Sequence, residues 1–179
     1  MRTLILLVCL VSPLWAQEVV KRGEVLRSYE LVLEGQQPYL VCSFTNRGSR
    51  TLELGVPAGV LFVGQREPCL PVLSGRAVSL RLGPGQSRSV RIQALSLSAF
   101  PHTPGPYSMA PAPTYEDEYV RAGAAVNRVW KKNASGSLRA DPLRLAQLAV
   151  FLLGEQMPAE QVRSLASPDE WAQLQTVLR

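Results

Sequence analysis

The chain has 179 residues, 46% of them hydrophobic and 18% charged, and a formal net charge of +5 that comes mostly from arginine, Lys21, Lys131 and Lys132 being the only lysines. One histidine, His102, and three cysteines without a CxxC pair exclude an ordinary zinc site. No aromatic side chains are interleaved with the basic residues as a stacking platform for nucleic acid would require, so nucleic acid is not expected as a partner.

Residues Met1 to Ala16, MRTLILLVCLVSPLWA, have the order of a secretory signal peptide: Arg2 as a positive start, an apolar run from Leu4 to Leu10, and Pro13 before Ala16. The run is well short of the roughly 20 residues that cross a bilayer as a helix. The protein is therefore expected to be secreted or periplasmic, with no transmembrane span after signal removal. Val8 stands before Cys9 where a lipidation site wants a small residue, which argues against a lipoprotein. Loss of the leader leaves Cys42 and Cys69 in a compartment where disulfides persist, and a structural Cys42–Cys69 bridge is expected. Its loop would contribute roughly 3–4 kcal/mol by chain-entropy reasoning.

From Val25 to Leu97 short apolar or alternating runs are separated by turn residues: VLRSYELVL, PYLVCSF, TLELGV, GVLFV, AVSLRL and SVRIQALSL. Asn46-Arg47-Gly48-Ser49 and Gly83-Pro84-Gly85 tolerate positive φ and predict tight antiparallel connections between the second and third and the fifth and sixth runs. In the sixth, Val90, Ile92 and Ala94 alternate with Ser89, Arg91 and Gln93, the period of a half-buried strand. The pattern predicts an immunoglobulin-like antiparallel β-sandwich over residues 17–98, following the 1–16 signal peptide, with a small barrel as the alternative architecture. Arg76, Arg81, Arg88 and Arg91 fall in this segment as a candidate surface for an anionic cell-envelope polymer, against the plainer reading of solvated, edge-protecting charges.

Residues 99–113 read as a Pro-rich linker: FPHTPGPYSMAPAP is too dense in proline for a helix interior or a central strand and suits an extended run. A helical domain is predicted over 114–179. Thr114 can cap its first helix, with Glu116, Asp117 and Glu118 in the first turn where the dipole favours acids, an arrangement that does not converge on a metal ion. Tyr115, Tyr119, Ala122, Val126 and Val129 recur at helical intervals. Asp141-Pro142 opens an almost wholly apolar helix that Gly154 ends, a short piece follows from Pro158 to Leu165, and Ser167-Pro168-Asp169-Glu170 is a capping box before WAQLQTVLR. The fold class is thus β then α, a sandwich followed by a small helical bundle.

No HExxH helix, GxSxG elbow or phosphate-binding loop is present, and no cofactor is implied. His102 reads as an exposed loop histidine; Ser96, Ser98 and Ser108 are near it in sequence, but no third residue orients a pair. His102 with Met109 forms a loose imidazole and thioether set for copper. Ala146-Gln147-Leu148-Ala149-Val150-Phe151 resembles the helix of the thioester domains of bacterial surface adhesins, whose glutamine is linked to a cysteine from an upstream segment. Here the strand before the linker reads Ala94-Leu95-Ser96-Leu97, with serine at the corresponding place, and neither Cys42 nor Cys69 has the family's flanking residues. The resemblance implies a scaffold of sandwich and helices, with Gln147 as its possible reactive residue.

Together these features predict an exported, non-catalytic module for cell-envelope binding, adhesion or assembly, its partner an anionic envelope component or another exported protein. The alternatives are a thioester-type or otherwise reactive protein using Gln147, and copper binding through His102 and Met109.

Overall fold

The computed structural model describes residues 24–66, 69–97, 102–110, 117–154 and 157–179. The expected signal peptide and the Thr114 cap, with Tyr115 and Glu116, lie outside the described residues. The strands are β1 (Val25–Glu34), β2 (Gln37–Asn46), β3 (Leu52–Val56), β4 (Leu61–Gly64), β5 (Val72–Ser74), β6 (Val78–Leu82), β7 (Ser87–Ser96) and β8 (Gly105–Met109). The helices are α1 (Asp117–Ala134), α2 (Pro142–Gly154), α3 (Ala159–Leu165) and α4 (Pro168–Leu178).

The β part is not the expected immunoglobulin-like sandwich. Strands β1, β2, β7, β5, β4 and β8 pair in that order and β8 returns to β1, which closes a six-stranded antiparallel barrel; β3 and β6 form a separate two-stranded sheet. The overturning element is β8, which comes from the stretch expected to be a linker. It pairs Tyr107 with Tyr29 on one side and with Gly64 on the other, so both open edges of the sheet are consumed by one short strand. Pro106 is tolerated there because its carbonyl still serves the ladder, accepting from the Gln65 N–H at 3.0 Å.

The predicted connections also change meaning. The Asn46–Ser49 turn does not join a hairpin: β2 pairs with β1 and β7, whereas β3 pairs with β6. Asn46 is wholly buried and ties the two sheets together. Its side-chain amide donates to the carbonyls of Arg50 (2.7 Å), Leu82 and Gly83 (both 3.1 Å), while its Oδ1 accepts from the Gly48 N–H at 2.9 Å. A buried amide with its donors and acceptor so occupied costs little to desolvate and specifies one arrangement.

Alternation along the strands produces two cores. Leu31, Leu40, Phe44, Phe62, Ile92 and Tyr107 point into the barrel and pack with the apolar side of β3 and β6, Leu52, Leu54 and Leu82 among them. Tyr29 stands edge-on to Phe44 and Phe62, with centroids 6.2 and 5.0 Å away. On the opposite side of the wall Leu61, Leu73, Leu95 and Leu97 are buried by the helices, in one cluster with Val126, Val129, Leu148 and Val150. The strands under the helices are thus apolar on both faces, which explains the fully buried VLS of β5, a run too short to register as a strand in sequence.

The helices begin and end where their local chemistry requires. Asp141 caps α2 by accepting from the Leu143 N–H at 3.0 Å, and Ser167 with Glu170 forms the reciprocal capping box of α4. Helix α1 is held against the barrel by Trp130, whose indole N–H donates to the Gly75 carbonyl at 2.6 Å, and by Asn127, which donates to the Ala58 carbonyl at 3.0 Å. One turn before Asn127, Gly123 meets Gly59, itself at φ +71°. A Cβ on Gly123 would lie 2.4 Å from the Gly59 carbonyl oxygen.

The expected Cys42–Cys69 disulfide is absent: both thiols are free. Cα partners run from Cys42 to Tyr29, from Tyr29 to Tyr107, and from Tyr107 to Gly64, beside which Cys69 packs. Three strand spacings of about 4.8 Å therefore separate the two cysteines along the barrel wall, far beyond the reach of a disulfide. Burial pushes the Cys42 thiol up to about 12.

Two outcomes follow from this packing. Gly123→Ala is expected to destabilise the protein by about 2–4 kcal/mol, because backbone on both sides must move; urea unfolding measures it, and a loss below about 0.5 kcal/mol would show that the helix and the turn do not touch. Alkylation of the purified protein should find both Cys42 and Cys69 titratable in denaturant and Cys42 protected in the native state, whereas a mass short by a pair of hydrogens would mean that the two are bridged.

Candidate functional site

Three residues that sequence reasoning treated separately meet at one end of the barrel. Ser96 is the last residue of β7, on the inward parity of Ile92 and Ala94, and its Cα partner on β5 is Val72. The register of β2 against β7 runs as far as Gln93. Beyond it Gln147 of α2 bonds the Ser96 backbone: its Oε1 accepts from the Ser96 N–H at 3.0 Å and its amide nitrogen donates to the Ser96 carbonyl at 2.8 Å. The side-chain amide thus substitutes for the peptide group of a neighbouring strand. The helix presents it here because Ala146, Leu148, Ala149 and Val150 are all buried around it.

His102 arrives from the chain just before β8. Its Nε2 is 2.7 Å from the Ser96 Oγ. Contrary to the expectation of an exposed loop histidine, the residue is only 9% exposed, and among the described residues its Nδ1 has no partner in hydrogen-bonding geometry. Burial pulls the imidazole below its ordinary pKa; the nearby Leu70 carbonyl opposes this more weakly. The same carbonyl accepts from the Tyr107 hydroxyl at 2.8 Å, and burial, with the Cys69 thiol close by, pushes that hydroxyl up to about 12, so it remains a donor. The arrangement is a neutral imidazole on a serine hydroxyl, beside a carboxamide aligned on that serine's own backbone.

The other candidates are spread over the surface. Arg88 and Arg91 are three apart on one strand and so face opposite sides. Arg91 is ion-paired to Glu34 and lies over the Tyr39 ring, 3.9 Å from its centroid; Arg81 stands opposite Glu53 in the β3–β6 sheet, and Arg76 is exposed in the turn after β5. Met109 is opposite Phe62 and packs against the barrel core, while the His102 Nε2 is directed to Ser96, so the copper pair is not assembled by these contacts. Asp117 and Glu118 occupy the first turn of α1 as the dipole favours, and among the described residues no group of three metal-ligating side chains occurs.

The Ser96–His102 contact had one sequence signal, six residues of separation across the Pro-rich turn. Nothing in the spacing of the sequence pointed Gln147 at Ser96, 51 positions away. Comparison with protein-family models, with curated proteins and with solved structures finds no match to this chain.

A histidine whose folded pKa is depressed favours the unfolded state once protonation begins. Its contribution is complete above the unfolded value near pH 6.5 and is lost as the pH falls toward the folded value. Thermal stability is expected to decline below about pH 6.5, by at most about 1.4 kcal/mol per pH unit from this group. His102→Gln should flatten that decline; an unchanged slope would show that His102 is not the titrating group.

Proposed function

We propose that the protein is an exported, non-catalytic module that binds an anionic component of the cell envelope through the outer face of β1, β2 and β7. The observation that carries this reading is the composition of that face. Helices cover the wall at β4, β5 and the end of β7, whereas the outward rows Leu26–Thr45–Ser87 and Ser28–Ser43–Ser89 lie on the other side of the barrel. Their hydroxyls are paired across the strands, Ser43 to Ser89 at 2.7 Å and Thr45 to Ser87 at 2.8 Å, and remain exposed. Next along the same face come Glu30, Val41 and Arg91, then Val32, Tyr39 and Gln93.

A hydroxyl-bearing sheet surface with an arginine held over a tyrosine offers donors and acceptors to a sugar polymer and a guanidinium to its acidic groups. The net charge of +5 favours approach to an anionic surface. Export rests on the leader-like Met1–Ala16 segment. Among the described residues no helix is long and apolar enough to cross a membrane.

Co-sedimentation of the exported chain with insoluble, acidic envelope polysaccharide tests the reading. Binding is expected to weaken about tenfold in Arg91→Ala, and between about 0.05 and about 0.5 M salt in the unsubstituted protein. Equal retention of the variant, or binding indifferent to salt, would reject this face as the contact surface.

A further inference from the structure

We propose that the end of the barrel where β1 begins, β2 ends and β7 begins docks on an anionic phospholipid bilayer, with Arg27, Arg47, Arg50 and Arg88 on the head-group phosphates and Leu26 at the interface. The reading goes beyond envelope binding by the outer sheet face: it gives the module a second surface with a different partner.

Register gathers these residues from three strands and a turn. Arg27 of β1 and Arg88 of β7 are both Cα partners of Phe44 on β2, so the three share one face of the sheet. Phe44 is 2% exposed and fills the core side of that row, while both arginines are exposed at its flanks. The turn after β2 brings the other two. The Arg47 N–H donates to the Glu24 carbonyl at 2.7 Å, just before β1, and the Arg50 carbonyl accepts from the buried Asn46 amide at 2.7 Å. Both arginines are exposed. The helices bury Leu95 and Leu97 at the opposite end of β7.

The charge gathered here is largely uncompensated. Glu24 is paired with Arg50 at 4.0 Å, and Glu53 on β3 stands opposite Arg81. Among the described residues Arg27, Arg47 and Arg88 have no carboxylate partner. Two strand spacings, about 10 Å, separate the backbones of Arg27 and Arg88, and Phe44 lies between them. The pair therefore suits an array of separate anions, as a phospholipid leaflet presents, and not a single ion. All four cations are arginines, whose weakly hydrated, planar guanidinium pairs with two phosphate oxygens at once.

Leu26 distinguishes a bilayer from a soluble acidic polymer. It is next to Arg27 on β1 and 44% exposed. A polymer in water would use the charges and leave the leucine hydrated. At a leaflet the charges hold the surface against the head groups, and the apolar side chain enters the boundary beneath them.

Sedimentation of the purified protein with vesicles of mixed phosphatidylglycerol and phosphatidylcholine tests the proposal, with vesicles of phosphatidylcholine alone as the reference. Binding is expected to the mixed vesicles only, falling steeply between about 0.05 and about 0.5 M salt. Each arginine close to an anionic leaflet strengthens binding about fivefold, so Arg27→Gln/Arg88→Gln should weaken it about 25-fold. In Leu26→Trp the indole emission should move to shorter wavelength when mixed vesicles are added, relative to the unsubstituted protein, a readout that does not depend on the double variant folding. Arg91→Ala, directed at the outer sheet face, should keep vesicle binding within about twofold. Equal binding to both vesicle types, an unshifted emission, undiminished binding of the double variant, or a loss in Arg91→Ala as large as in that variant would overturn the proposal. None of these outcomes depends on acidic polysaccharide, so the two surfaces stand or fall separately.

Discussion

The double pairing of β8 is the constraint on which the rest of the structure depends. Five residues, Gly105–Met109, supply the partner for β1 and for β4 at once. Without them the other five strands would form an open sheet with two exposed edges. With them the inward side chains enclose a core that β3 and β6 cover, and Tyr107 enters that core with its hydroxyl bonded to Leu70. Closure also brings His102 back over the end of β7, because only two residues separate it from the first residue of β8. The imidazole–hydroxyl contact is thus a consequence of barrel closure.

The helices solve a second problem that closure creates. The wall at β4, β5 and the end of β7 is apolar on its outer side as well, and α1 and α2 bury it. Close approach is made possible by Gly59 and Gly123 and made specific by Asn127 and Trp130, which satisfy carbonyls of the turns. At the end of β7, Gln147 bonds both backbone groups of Ser96 with its side chain. A polar residue in a largely apolar helix is tolerated because both of its polar atoms are occupied. The same two bonds fix α2 against the barrel wall.

Much of the local structure was legible. The strand runs from Val25 to Leu97 are strands, apart from shifts of a residue or two at their ends, because period-two alternation is a property of each strand alone. The Asp141-Pro142 start, the Gly154 end and the Ser167 capping box are likewise local chemistry, and all appear as read. The failures were non-local. A proline-rich stretch looked unfit for a central strand, yet a strand of five residues needs few donors, and Pro106 retains the acceptor that matters. A sandwich and a closed barrel share the same alternation, so only the pairing of the ends distinguishes them. The disulfide failed for a related reason: a pair of cysteines behind a leader-like segment invites the expectation of a bridge, but register sets Cys42 and Cys69 three strands apart.

Sequence by itself determined the β-then-α order, the Asp141-Pro142 start of α2 and the capping box of α4, all of which depend on neighbours along the chain. Tertiary structure decided the barrel, the separation of the thiols, the burial of His102 and the meeting of Ser96 with Gln147. Those depend on which edges are left unpaired when strands assemble, and an unpaired N–H or carbonyl exerts its demand on whatever group is close in space, however distant in sequence.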